Sequence, residues 1–131
     1  MVIVDSSVWI DYLNNTRNFQ TDMLDLLFER ETVYSGDLVL LEVLQGIRND
    51  KEFIKTKAMF DLFPCVRLLN KNLAIKSAEN YRLLRKKGIT IRRTMDIIIA
   101  TFCIENNFAL LHNDKDFMPM EKHLGLKTIS K

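Results

Sequence analysis

Residues 2–13 read VIVDSSVWIDYL. The apolar triplet Val2-Ile3-Val4 stops at Asp5-Ser6-Ser7, and an apolar pattern at helical spacing then runs from Val8 to Leu13. β-Branched residues suit a strand, and the serines are good N-caps for the pattern behind them. The stretch predicts strand, turn and helix, with Asp5 directly beyond the strand.

Working outward, the same alternation recurs. A helical pattern covers about 20–30, with Met23, Leu26 and Leu27 on one face, and Val33-Tyr34 is a short strand. Asp37 caps a helix over Leu38–Ile47, and a further helix over Phe53–Phe63 stops at Pro64. Val66–Leu69 reads as a buried strand, and residues 72–87 as a helix closed by Gly88. Thr94 opens the helix Met95–Glu105, ended by Asn106-Asn107; Phe108–Leu111 and Lys127–Ile129 complete the strands. Strands separated by helices predict an α/β fold of three layers, α/β/α, with a short, mostly parallel sheet covered on both faces. The length, 131 residues, suits one domain over 1–131.

No apolar run approaches the roughly 18 residues of a membrane span, and MVIVDSS lacks the layout of a signal peptide, so a soluble cytoplasmic protein is expected. Cys65 and Cys103 sit among apolar residues without zinc-ligand spacing and are expected to be buried free thiols. From Arg67 to Arg93, nine Lys or Arg face one acid, Glu79, which leaves this segment at +8 and the remainder at −6. A basic segment beside an acidic remainder suits a protein that attracts phosphate to a cluster of carboxylates.

In open α/β sheets, ligands bind beyond the carboxyl ends of the strands. Asp5 follows the first strand there, and Asp114 and Asp116 follow the strand 108–111. Asp96 opens an apolar helix, IIIATF, that has no polar face to solvate it, and Glu42 stands among apolar neighbours in LVLLEVLQG. Gly46, one turn beyond Glu42, is expected to leave room beside it for a ligand or another chain. Carboxylates converging without equal cations repel, and a divalent cation resolves that repulsion. Oxygen-only ligands point to Mg²⁺ or Mn²⁺, and such a site activates water for phosphodiester hydrolysis.

The start IVDSSVWIDYL, the Glu in LLEVLQG, the segment IRRTMDIIIATFCIENN and the stretch ALLHNDKDF together resemble, in order and spacing, the four acid motifs of the PIN-domain ribonucleases. More narrowly, they resemble the VapC-type toxins of bacterial toxin–antitoxin (VapBC) pairs, over essentially the whole chain. The resemblance implies a Mg²⁺- or Mn²⁺-dependent endoribonuclease that leaves 5′-phosphate and 3′-hydroxyl ends. It is neutralised by a cognate VapB-type antitoxin, forms a homodimer or a higher hetero-oligomer with that antitoxin, and meets DNA only through the complex. Asp5, Glu42, Asp96 and Asp114 match the four acids. Asp5 and Asp96 are then metal ligands, Asp114 binds directly or through water, and Glu42 holds a second metal or orients the attacking water. Ser6 matches a small hydroxyl residue that hydrogen-bonds within the site, and Asp116 an acid behind the ligands. His112 departs from the family pattern, which more often has Thr or Ser there.

Arg92 and Arg93, just before the Asp96 helix, are favoured for RNA phosphate contact. Trp9, Tyr12 and the phenylalanines are expected in the core or at a subunit contact, Trp9 and Tyr12 at a homodimer interface. An aspartyl-phosphate phosphatase is disfavoured because Ser7 stands where its second acid is needed. The alternative from another class is a non-catalytic PIN-like module binding RNA or protein, which the retention of all four acids disfavours.

Overall fold

Val2–Val4 (β1), Val33–Gly36 (β2), Cys65–Val66 (β3) and Ala109–Leu111 (β4) are the strands of the computed structural model, which describes residues 1–130. They form one parallel sheet in the order β3-β2-β1-β4, with Ile3 opposite both Tyr34 and Leu110. The helices are Ser6–Leu13 (α1), Phe19–Glu29 (α2), Asp37–Gln45 (α3), Asp50–Phe60 (α4), Lys71–Lys86 (α5), Thr94–Asn106 (α6) and Met118–Leu124 (α7).

The topology places the layers. From β1 the chain steps to β2 and then to β3 in one direction, and from β3 it returns past β1 to β4. Parallel crossovers are right-handed, so α1 to α4 cover one face and α5 and α6 the other. The packing of α1 on α2 and α3, and of α5 on α6, agrees. The strand order reverses direction at β1 and β4, and the crevice beyond their carboxyl ends is the switch point where such sheets bind ligands.

Every residue of β1 is buried, as is each residue from Asp96 to Cys103 in α6. On the other face Trp9, fully buried, meets Phe60 edge-on at 4.7 Å between ring centroids and lies 5.8 Å from Phe63. Trp9 is thus a core residue of this chain and not a subunit contact; half-buried Tyr12 donates its hydroxyl to Asp25 at 3.0 Å.

Several local expectations change. Asp5, not a serine, caps α1, because its carboxylate accepts the Ser7 amide at 3.1 Å. Asp37 lies inside the first turn of α3, after Gly36, and its carboxylate accepts the amides of Leu38 and Leu68, which ties α3 to the chain beyond β3. β3 is only two residues long and an edge strand, so Cys65 is exposed, against the expectation of burial, whereas Cys103 is buried. Lys127–Ile129 contributes only an isolated parallel bridge, Thr128 to Leu110. Gly46 ends α3 instead of interrupting it, and an added Cβ there meets only helix carbonyls at 3.6 and 3.7 Å. No close approach therefore requires a glycine there. Gly88, at φ +81, does close α5 in the left-handed conformation.

Gly36 is needed for a close approach. A Cβ there collides with the fully buried Leu68 side chain, falling 2.8 Å from its Cγ. Gly36→Ala is expected to cost about 1–3 kcal/mol by overpacking, read as a lower urea midpoint. An unchanged midpoint would mean that Leu68 moves aside freely.

Candidate active site

The switch-point crevice is built from the ends of β1 and β4 and the first turn of α6. Asp5 continues the ladder, its amide donating to Leu111 O at 2.9 Å. Its Oδ2 accepts both the amide and the hydroxyl of Ser7, at 3.1 and 2.6 Å. Burial pushes the Asp5 carboxyl above its usual range and the charge of Glu42 adds to this, while the Ser7 hydrogen bonds oppose it. Ser7 Oγ also accepts the Asn113 amide at 3.2 Å, so one hydroxyl joins the chain after β1 to the chain after β4.

Ser7 was not singled out for the site from the sequence, where it read as a cap. The available signal was a hydroxyl two residues beyond an acid at a strand end, able to turn back on that acid. Ser7→Ala is expected to lower stability by about 1–3 kcal/mol by removing a hydrogen bond from the buried Asp5 carboxylate, while the exposed Asn113 amide turns to water. Thermal unfolding with chelator present checks this; a melting temperature equal to wild type would show that the bridge contributes nothing.

Asp96 is at the third position of α6, where the backbone favours negative charge. Apolar packing leaves it 1% exposed, and its Oδ2 has no hydrogen-bond partner among the described residues. Burial pushes its pKa up to about 7; Arg93 opposes the rise, and the charges of Asp5, Asp114 and Asp116 add to it.

Asp114 and Asp116 come from the loop after β4, which winds into a 3-10 turn over Lys115–Phe117. Asp114 Oδ1 accepts the Asp116 amide at 2.9 Å, which aims both side chains back at α6. Oxygens of Asp96, Asp114 and Asp116 lie within 4.8 Å of one another. Asp116, expected behind the ligands, thus has its carboxylate within this group.

Glu42 reaches the crevice from α3. Ser6 Oγ donates to its Oε1, and Arg93 Nη2 donates to its Oε2 at 2.6 Å. Arg92 Nη2 reaches both oxygens of Asp116, at 3.1 and 2.8 Å. The two arginines expected at phosphates here neutralise acids on opposite sides of the crevice. His112 lies beside Asp114: its Nδ1 accepts the Asp114 amide at 3.1 Å and its Nε2 lies 3.0 Å from Glu121 Oε1. Because Nδ1 must carry a lone pair to accept, the proton is on Nε2 and is donated to Glu121. His112 thereby fixes the loop that carries Asp114.

The donors fit a hard divalent cation. They are carboxylate oxygens, they are close enough to share an ion, and the buried Asp96 Oδ2 is unpartnered.

Residues 2–122 match the PIN domain family. The chain belongs to the PIN domain family. This PIN domain is 25% identical to Ribonuclease VapC11 of Mycobacterium tuberculosis over 135 residues, covering 99% of this chain and 98% of the relative. It is 28% identical to Ribonuclease VapC1 of Methanocaldococcus jannaschii over 130 residues, covering 99% and 88%. Its fold is that of VapBC2 from Rickettsia felis, crystallised bound to a DNA fragment from its promoter, with a TM-score of 0.78, 18% identity and 98% of each chain covered. FitAcB from Neisseria gonorrhoeae gives a TM-score of 0.78 at 17% identity, covering 99% and 97%. Among its described residues the PIN domain has no helix long and apolar enough to cross a membrane.

Proposed function

We propose that this PIN domain, extending over 1–131, is a divalent-metal-dependent endoribonuclease, the toxin of a toxin–antitoxin pair, and that a cognate VapB-type antitoxin neutralises it. One observation carries the enzymatic reading: an unpartnered, buried oxygen of Asp96 stands among the carboxylates of Asp114 and Asp116 at the sheet's switch point. A protein that used these acids only for stability would pair them, since an uncompensated buried carboxylate is costly.

Asp96 and Asp114 would hold Mg²⁺ or Mn²⁺ together with Asp116, whose carboxylate lies in the same group, and Asp5 would join them from the end of β1. A cation bound there supplies Lewis acidity toward a phosphoryl oxygen and a lowered pKa for water. Glu42, oriented by Ser6 and Arg93, accepts a proton from water or holds a second ion. Ser7 keeps the Asp5 carboxylate turned toward the crevice. Arg92 and Arg93, paired with Asp116 and Glu42 here, exchange these partners at the rim for an RNA phosphate.

The antitoxin rests on the similarity to VapC ribonucleases and to structures of VapBC complexes, from Rickettsia felis and from Salmonella typhimurium, that hold DNA. DNA contact therefore belongs to the complex, in which this PIN domain forms a homodimer or a higher hetero-oligomer. All four motif acids are retained, and no observation favours a non-catalytic binding module.

The test is incubation of total cellular RNA with the purified chain, freed of any partner, with Mg²⁺, with Mn²⁺ and with EDTA. Discrete fragments that appear only with metal are expected. RNA left intact under every metal would remove the enzyme and leave the binding module.

A further inference from the structure

A second groove opens on the same edge of the sheet, between α5 and the start of α6. It encloses about 480 Å³, within the range of ligand pockets. Leu69, beyond the end of β3, and Thr94, two residues before Asp96, are among its lining residues. Its walls include the buried Ile97 and Ile98, and no carboxylate lines it.

Three features of the groove favour a ligand. Ser77, on the wall from α5, is 5% exposed, and its hydroxyl has no hydrogen-bond partner, not even the carbonyl one turn back in its own helix. Arg82 and Arg85 stand exposed at the rim and form no ion pair among the described residues. The Arg85 guanidinium lies 5.7 Å from the centre of the Tyr81 ring, a flat, cationic edge to an apolar slot.

We propose that the α5–α6 groove is a nucleobase subsite for single-stranded RNA, with Ser77 at the base edge, Tyr81 at its face and Arg82 and Arg85 on the flanking phosphates. The inference rests on the ribonuclease reading and assigns it a place for the nucleotide beside the scissile bond. An apolar slot takes the faces of any base, and a hydroxyl that both donates and accepts meets any base edge, so selectivity is modest. The same groove seats a second copy of this chain poorly. An isologous contact sets the patch against itself, and here that brings Arg82 and Arg85 against their own copies with no carboxylate in the lining.

The experiment measures binding of a fluorescent oligouridylate dodecamer, and of the same chain with abasic spacers, to the protein in EDTA, where cleavage is silent. Ser77→Leu, which fills the slot, is expected to weaken binding of the base-bearing RNA about tenfold and of the abasic chain hardly at all. Ser77→Ala is expected to have a smaller effect of the same pattern, and Arg85→Ala to weaken both ligands. If Ser77→Leu fails to fold, Ser77→Ala still decides, because its loss must depend on the presence of bases.

Equal affinity of folded wild type and both Ser77 variants for the base-bearing RNA overturns the subsite. So does loss of dimer mass in Ser77→Leu with RNA affinity intact, which assigns the groove to a second copy. Cleavage of cellular RNA by the wild type in the presence of metal preserves the ribonuclease reading in either case. A wild type that neither binds nor cleaves RNA overturns both.

Discussion

Asp96→Asn is expected to reduce RNA cleavage by at least about a hundredfold, since even groups that only orient a metal ligand cost 10–100-fold when lost. The same substitution is expected to stabilise the metal-free protein. The Asp96 carboxyl has a pKa of about 7 in the folded chain against an ordinary 3.8. Between those values the folded state holds a proton that the unfolded state has released, so stability falls as pH rises from 3.8 toward 7 and stays reduced above it. The full penalty is on the order of a few kcal/mol. Asparagine has no charge to desolvate, so the variant lacks this slope.

In chelator at about pH 8 the variant is expected to melt above wild type, with the gap closing as pH falls toward about 4. Mg²⁺ or Mn²⁺ is expected to raise the wild-type melting temperature and leave the variant nearly unchanged, because only the carboxylate binds. Melting curves against pH, with and without metal, check all three statements. A gap between the two proteins that is constant from acid to alkaline pH would show that Asp96 ionisation is not what the fold works against.

Trp9→Ala is expected to give the largest loss of stability, about 3–5 kcal/mol, a large part of the 5–15 kcal/mol that holds a typical domain. Trp9 is fully buried and contacts the rings of Phe28, Phe60 and Phe63. It therefore joins α1 to α2 and to the end of α4. Its indole N–H has no acceptor among the described residues, so Trp9→Phe sacrifices packing but no hydrogen bond and is expected to cost far less. Urea unfolding curves of the two variants compare them. Equal losses would mean that the ring cluster tolerates no change of shape, and a negligible loss for alanine would mean that the helices close over the gap. Because α1 begins one residue after Asp5, partial unfolding there is expected to weaken metal binding as well.

The helices were legible where their pattern was long. The amphipathic spacing of α5 and the unbroken apolar run of α6 exceed what a strand of this fold requires, and Gly88 and the Asn106-Asn107 pair end them as their chemistry suggests. Short elements were less legible. β3 has two residues, too few for a period, so the expected strand Val66–Leu69 shares only Val66 with it, and Cys65, whose apolar neighbours suggest burial, is exposed on this edge strand. α7 went unread although Pro119 in its first turn and Gly125 after its end are ordinary start and stop signals, because its seven residues follow directly on a 3-10 turn.

The sequence by itself determined the alternation of strand and helix, and with it the positions of Asp5 and Asp114 beyond strand ends and of Asp96 in a helix's first turn. These follow from local period, caps and the parallel-sheet rule, which act within a few residues. Tertiary structure alone decided the pairing of Glu42 with Arg93, 51 residues away, and of Ser7 with Asn113, 106 residues away. It also brought Asp116 into the carboxylate group and left Asp96 Oδ2 without a partner. The cost of a buried charge depends on every segment that excludes water from it. Here those segments come from both ends of the chain, so the electrostatics of the crevice come into being only once the layers pack.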